Sequence, residues 1–393
     1  MKDSLYLAWK YLAYHRLKTV ILVTSITLIV YLPVGLQVLV SQSARELTSR
    51  AEATPLIIGA KGGALELVLN SLYFESDRPE LARYEEVTRV ADSGLARAIP
   101  IYARFHAQRH PIVGTTLEYF DFRGLRIAAG RNLAMLGECL LGSEVARDIG
   151  IAPGGSVLSS PESVFDLAGV YPLKMQVAGI LAPSHSPDDR AIFVDLKTAW
   201  IIEGLGHGHE DLARPEASSG ILQRQGNQIT ANASVVQHNE ISAANLESFH
   251  FHGDQAAFPV TAVIAVPHDQ KSETLLRGRY QSSGERSQIV RPVTVMNDLL
   301  ATILTVQNYI VAAVVLVGFS TLATAALVFM LSLRLRKREI ETMVKIGGAA
   351  RRIALLLASE VVVVFVLSVL LAAGLTLLTS WLGEGVIRSL ILS

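Results

Sequence analysis

Hydrophobic and polar positions fall along this chain in two textures. Uninterrupted apolar runs stand near both ends, and between them about 260 residues (41–300) alternate short apolar runs with polar turns. Crossing a bilayer takes about 20 apolar helical residues, and three stretches meet that length. Residues 19–40 carry no charge and predict a first transmembrane helix. Its aliphatic residues, Ile21, Leu22, Val23, Ile26, Leu28, Ile29 and Val30 among them, outweigh Pro33 and Gln37 by on the order of a few kcal/mol on insertion scales. A cleaved signal peptide would need a shorter apolar core and a small-residue cleavage site, which Leu39-Val40-Ser41-Gln42-Ser43 does not provide. The second span, residues 306–333, lies in the charge-free interval between Asp298 and Arg334. The third, residues 353–382, is interrupted only by Glu360.

Charge orients these helices. Lys2, Lys10, Arg16 and Lys18 precede the first span, and residues 334–352 between the second and third are rich in Lys and Arg. Short basic loops stay in the cytoplasm. The first helix therefore leads out, the other two form a hairpin dipping inward, and residues 41–300 lie outside with the 383–393 tail. Residues 1–18 place Leu5, Ala8, Trp9 and Leu12 at helical spacing. They read as an amphipathic helix on the cytoplasmic face, or as the first turns of a longer first helix.

An excursion this long is a folded domain. Helical spacing appears in Ala64–Tyr73 and Gly142–Ile149, and strand-like runs in Ala98–Tyr102, His110–Thr115, Met175–Leu181, Ala191–Val194 and Val260–Val266. Turn signals separate them, as in Pro183-Ser-His-Ser-Pro-Asp-Asp189. The expected fold class is a membrane α-helical protein with three transmembrane helices, carrying a large α+β extracytoplasmic domain that an insertion divides into two lobes. Residues 203–227, rich in Gly, His, Ser and Gln, predict a mobile loop.

Composition supports the membrane reading. Of 393 residues, 18% are charged, below the usual soluble average of about 25%, and mean hydropathy is +0.38. Basic and acidic residues balance at 35 each, which argues against a nucleic-acid partner, since phosphates demand a basic surplus. The single cysteine, Cys139, permits no intrachain disulfide and reads as a small buried hydrophobe.

Three stretches carry a family resemblance. Lys337-Arg-Glu-Ile-Glu-Thr-Met-Val-Lys-Ile-Gly-Gly-Ala349 is similar to the basic loop between the second and third helices of the FtsX-like, macrolide-exporter and lipoprotein-release class of ABC transporter permeases. Residues 55–72 resemble the segment after the first helix in one branch of that class, and residues 141–157 its helix, glycine, turn and strand unit. The class has a fourth helix returning to the cytoplasm; here Val386–Leu392 is too short to span, so this chain either works with three helices or is truncated.

The resemblance implies an inner-membrane permease subunit, multi-pass and working as a dimer with a second permease chain and with a separate ABC ATP-binding subunit. The chain itself would be no enzyme and hold no cofactor of its own, with ATP bound on the partner. No Gly-x-x-x-x-Gly-Lys-Ser/Thr occurs in it, and Gly59-Ala-Lys-Gly-Gly63 is a glycine-rich turn with its lysine misplaced. The loop 334–352 is then the element that docks on the ATPase, with Glu339, Ile340, Met343 and Ile346 as the contacting residues. The implied action is movement of the outer domain on an envelope substrate, whether lipoprotein, small molecule or metal-linked cargo. The alternative is a non-transport regulator that switches a periplasmic or cell-wall partner by mechanotransmission. No Gly-x-Ser-x-Gly elbow supports a tethered hydrolase.

Two further features carry chemistry. Glu360 is an acid within a membrane span, and its nearness to Arg351 and Arg352 favours a structural ion pair over a proton relay. Five of the ten histidines, His207, His209, His238, His250 and His252, fall in one region. Gly206-His-Gly-His-Glu210 and Phe249-His-Phe-His-Gly-Asp254 each set two imidazoles at i, i+2, on one face of an extended strand. That pattern makes the five histidines candidate zinc ligands, with Glu210, Glu240 or Asp254 adding an oxygen, against the plainer reading of a solvated histidine-bearing loop. The resemblance also includes a branch tied to zinc-responsive envelope systems.

Overall fold

The computed structural model describes the chain apart from residues 1, 76–79, 161–171, 209–220, 226–227, 232–237, 282–283, 285, 336, 346–349 and 392–393. It divides into two compact units, Met1–Thr48 with Asn297–Ser393, and Ser49–Met296. The chain opens with helices α1 (Lys2–Tyr14) and α2 (Arg16–Glu52), followed by β1 (Leu56–Ala60), α3 (Ala64–Tyr73), β2 (Ala82–Arg83), α4 (Glu85–Asp92), β3 (Ala96–Ala107) and β4 (His110–Thr115). Next come α5 (Glu118–Arg123), β5 (Ile127–Gly130), β6 (Glu138–Leu141), α6 (Ser143–Ile149), β7 (Ser156–Leu158), β8 (Lys174–Leu181), β9 (Ile192–Asp195) and α7 (Leu196–Glu203). The remainder holds β10 (Gly206–Gly208), β11 (Ile221–Gln225), β12 (Gln228–Ala231), β13 (Phe249–Phe251), β14 (Pro259–Val260), β15 (Ala262–Pro267), α8 (Gln270–Arg279) and β16 (Ser287–Val290). Helices α9 (Pro292–Leu335), α10 (Lys337–Lys345) and α11 (Ala350–Ile391) close it.

The first unit is helical. Among the described residues, three stretches, Arg16–Gln42, Pro292–Thr324 and Ala358–Leu382, are long and apolar enough to cross a membrane. Little of that apolar surface is covered by protein: Leu316 is 72% and Trp381 78% exposed, surface that hydrocarbon accepts and water does not. The polar groups within these helices find one another instead. Gln307 donates to the Gln37 side-chain oxygen at 2.7 Å, the hydroxyls of Tyr31 and Thr379 lie 2.7 Å apart, and Gln42 donates to the Ser380 carbonyl at 3.1 Å. Such interhelical bonds hold spans together where hydrophobicity cannot. The break at His15 makes α1 a helix distinct from α2. Glu360 is buried and lines a cavity with Tyr11, His15, Lys18 and Thr19. Lys18 is the cation described on that cavity's wall; the Arg351 and Arg352 side chains fall outside the described ones.

The second unit is built on one ten-stranded sheet in the order β16-β1-β15-β3-β4-β9-β6-β8-β5, with β7 against β8. Pairs are antiparallel except β4 with β9 and β6 with β8. The long β3 joins the two ends of this path, pairing with β15 on one side and β4 on the other. Ile58, Tyr102, Ile112, Cys139, Val194 and Trp200 belong to its core, and burial pushes the Cys139 thiol up to about 12. The 203–227 region departs from the loop expectation. It contains β10 and β11, and β11 pairs with β12 just beyond it, because short backbone ladders form even where glycine and polar residues mask the strand pattern.

A buried ion pair fastens this domain at its entry point. Arg50, in the last turn of α2, donates to both carboxylate oxygens of Asp188 at 2.6 and 2.8 Å. It also donates to the Tyr119 hydroxyl at 2.8 Å, and Tyr119 donates to Asp188 at 2.6 Å. Burial alone would raise the Asp188 carboxyl, but Arg50 and these hydrogen bonds hold it below the usual carboxylate range. Losing one partner of such a pair strands the other and costs about 3–5 kcal/mol. Arg50→Met is therefore expected to lower the thermal midpoint by on the order of 10 °C, at about 2–4 °C per kcal/mol for a domain this size, while exposed Arg45→Ala leaves it unchanged. Because the folded carboxyl is depressed, the pair's stabilisation is complete above the unfolded value of about 3.9 and is lost as pH falls through the lower folded value. Melting curves between pH 3 and 8 check both.

Candidate metal centre

The local sequence after the core builds a small sheet with two unlike faces. Asp195 caps α7 by accepting from the Lys197 amide at 2.9 Å. At its other end Gly204 adopts φ +90°, a conformation that side chains resist, and turns the chain into β10. Trp200 anchors the helix: its indole donates to the Pro259 carbonyl at 2.8 Å, and its ring meets Phe258 and Phe251 edge-on at 5.1 and 6.3 Å.

Strands β10 and β13 pair antiparallel with Gly206 opposite Phe251, His207 opposite His250 and Gly208 opposite Phe249. Alternation then sorts the side chains. Phe249 and Phe251 pack on the core and their rings cover the two glycines. A Cβ on Gly206 would lie 2.7 Å from the Phe251 ring, and one on Gly208 2.6 Å from Phe249. The imidazoles share the other face. Ring centroids are 5.0 Å apart for His207 and His250, 4.9 Å for His207 and His252, and 4.7 Å for His250 and His252. One ligand atom from each of the three lies within 4.8 Å of the others. His207 and His250 are half-buried and His252 is exposed. The His250 Nδ1 lies 3.0 Å from the Ser248 carbonyl. A carbonyl only accepts, so Nδ1–H is the donor in this bond.

Of the five predicted ligands, the structure brings three together. His238 does not join them: its amide donates to the Gly208 carbonyl at 2.9 Å, and its ring lies 6.4 Å from Phe249, a residue of the core-facing side. His209 and Glu210 lie outside the described residues. Glu240 accepts from Lys174 at 2.8 Å and Asp254 caps the turn at Gln255–Ala257, so both carboxylates have other work. Sequence reasoning missed the phenylalanines and glycines, whose complementary Gly-His-Gly and Phe-His-Phe patterns were the available signal.

The predicted docking residues fall on or beside α10. Ile340 is half-buried there; Glu339 and Met343 lie on the helix with side chains outside the described ones, and Ile346 lies outside the described residues. Spacing of i, i+4 puts Glu339 and Met343 on one helical face.

With fold and sites in view, comparison with known proteins gives a consistent class. The description of the MacB-like periplasmic core domain matches residues 19–237. The chain therefore belongs to that family, and it is a permease-type protein of the ABC transporter class, multi-pass in the inner membrane with its large α/β domain outside the cytoplasm. Solved structures similar to it include the periplasmic region of MacB from Actinobacillus actinomycetemcomitans, at 10% identity over 64% of this chain and 97% of that one, with a TM-score of 0.34. The extracellular domain of the noncanonic ABC-type transporter YknZ from Gram-positive bacteria is similar at 13% identity over 60% and 98%, with a TM-score of 0.30. A domain of a putative permease protein from Porphyromonas gingivalis is similar at 13% over 60% and 86%, with a TM-score of 0.26. No curated protein matches by sequence. Of the three clustered histidines, His207 lies within the matched residues and His250 and His252 lie beyond them.

The cross-strand cover of glycine by phenylalanine is open to test. Gly208→Val must push the Phe249 ring aside, an overpacking cost of about 1–3 kcal/mol. The expected result is a thermal midpoint several degrees lower, with an exposed Gly278→Ala substitution in α8 leaving it within a degree or two of the native value.

Proposed function

We propose that this chain is the permease subunit of an ABC transporter whose ATP is hydrolysed by a separate ATP-binding subunit. A second permease chain completes the membrane bundle, and ATP-driven movement of the helices is passed to the extracytoplasmic domain, which acts on an envelope substrate or a periplasmic partner. The observation that carries this reading is family membership combined with topology: a short basic helix, α10, lies between two spanning helices on the side where Lys and Arg accumulate. An amphipathic helix with apolar teeth and a basic flank suits a groove on a partner. On α10, Ile340 and Met343 supply apolar surface, and Glu339 supplies a charge that pairs with a base on the ATPase. Ile346, just beyond the helix, extends the same contact.

Co-purification from native membranes tests this. A P-loop ATPase is expected to accompany the native chain, and Glu339→Arg with Met343→Arg to abolish the association while the chain still inserts and folds; Ile340→Ala is expected to weaken it. Association that survives all three changes overturns the docking assignment, and no ATPase under any condition overturns the permease reading. The ATPase rate then separates the two modes of action: stimulation by a transported substrate marks transport, and stimulation by a periplasmic protein partner alone marks mechanotransmission.

A further inference from the structure

We propose that His207, His250 and His252 form a binding site for a zinc ion, held on the outward face of the β10–β13 sheet and open to solvent beside His252. The inference concerns the extracytoplasmic domain alone and does not rest on the ATPase assignment.

Geometry is the first support. Three nitrogens around a tetrahedral zinc at about 2.0–2.1 Å stand roughly 3.3–3.4 Å from one another. The three ligand atoms already lie within 4.8 Å, so closing on an ion takes at most about 1.5 Å of movement, which rotation of the imidazole rings supplies. The backbone is set in advance. His207 faces His250 across the ladder, and His252 stands two residues further along the same chain face.

The second support is that the face is built rather than incidental. Phe249 and Phe251 pack inward over Gly208 and Gly206, whose missing side chains make room for the rings. That packing fixes the register and, with it, the direction of His207 and His250. The His250 Nδ1–H to Ser248 carbonyl bond orients the ring, the kind of supporting contact that metal-binding histidines carry. A solvated surface loop has no need of three imidazoles gathered with their ring centroids within 5.0 Å of one another.

Donor chemistry selects the ion. Three imidazoles, with no carboxylate joining them among the described residues, suit borderline transition ions and reject magnesium and calcium, which demand oxygen. Zinc accepts three histidines with a fourth position left for water or an incoming ligand. Because His252 is exposed, that fourth position is accessible, and the ion is exchangeable rather than sealed in. Bound there, it ties β10 to β13, the strands that begin and end the excursion containing the β11–β12 hairpin.

The test uses the full chain, free of any polyhistidine tag, in detergent or lipid nanodiscs after chelator treatment. Titration with Zn2+ by calorimetry is expected to give one ion per chain. Loss of a supporting contact alone weakens metal sites by about 10–100-fold, so His207→Ala or His250→Ala is expected to weaken binding by about 100-fold or more, and His238→Ala to leave it unchanged. Co2+ serves as an optical probe: tetrahedral visible bands in the native chain are expected to vanish in both ligand variants. Melting of each metal-free variant at the native temperature excludes misfolding as the cause. The proposal is overturned if the native chain takes up no zinc at micromolar concentration, or if the triple variant His207→Ala, His250→Ala, His252→Ala binds as the native chain does.

Discussion

A charge buried in protein needs its counter-charge close at hand, and the pairing of Arg50 with Asp188 organises the extracytoplasmic domain around that requirement. Both side chains are almost completely covered, where an unmatched charge costs several kcal/mol. The match recruits four segments. Arg50 comes from the last turn of α2, Asp188 from the 3-10 turn at Pro187–Arg190, and Tyr119 from α5. The fourth is the start of α6, where Gly142 lies so near that a Cβ would sit 2.4 and 2.3 Å from the carbonyl oxygens of Asp188 and Asp189. The turn is stiffened from within, since Asp189 accepts from the Ser184 and His185 amides at 2.9 and 2.7 Å. Strand β9 starts two residues after the turn and pairs with both β4 and β6. The charge pair therefore fixes where the sheet begins relative to the last turn of α2.

The membrane helices follow the opposite economy. Their apolar faces carry no specificity in hydrocarbon, so the few polar groups they contain decide which faces meet. Gln37 with Gln307, Tyr31 with Thr379, and Gln42 with Ser380 each join one span to another. Pro33 sits inside α2 between Tyr31 and Gln37, a break in the backbone ladder of the kind membrane helices tolerate. The residues that weaken each helix as a hydrophobic span are those that give the bundle its register.

How much of this was legible depended on the range of the interaction. Spans were legible because a twenty-residue apolar run needs no partner to be recognised. Strands β4 and β8 were legible within a residue, as were α3 and α6, since their periodicity is local. The Arg50–Asp188 pair was not, because its partners stand 138 residues apart and Asp188 reads as one more polar residue in a Pro-Ser-Asp turn. Strands β10 and β13 were hidden differently. Each has three residues, too few for periodicity, and the glycines that make the first one possible are the residues that most strongly signal a loop. For the histidines, the i, i+2 spacing gave the shared face correctly for His250 and His252. Which histidine joins them from elsewhere is a matter of cross-strand register, and no local pattern encodes that.

The same alternation makes both the core and the histidine cluster, and this links packing to chemistry. Along β13 every second residue must be large and apolar to close the core beside Trp200, which leaves the intervening positions free to carry polar groups at a spacing the strand dictates. Across the ladder, the aromatic rings exclude side chains at Gly206 and Gly208 and so leave His207 as the one side chain β10 presents. A shift of one residue would drive the imidazoles into the core and the phenylalanines into water. The packing energy of two aromatic rings is thus what holds the imidazoles in register, and a cluster of polar groups on an open face acquires a fixed geometry that its own interactions are too weak to impose.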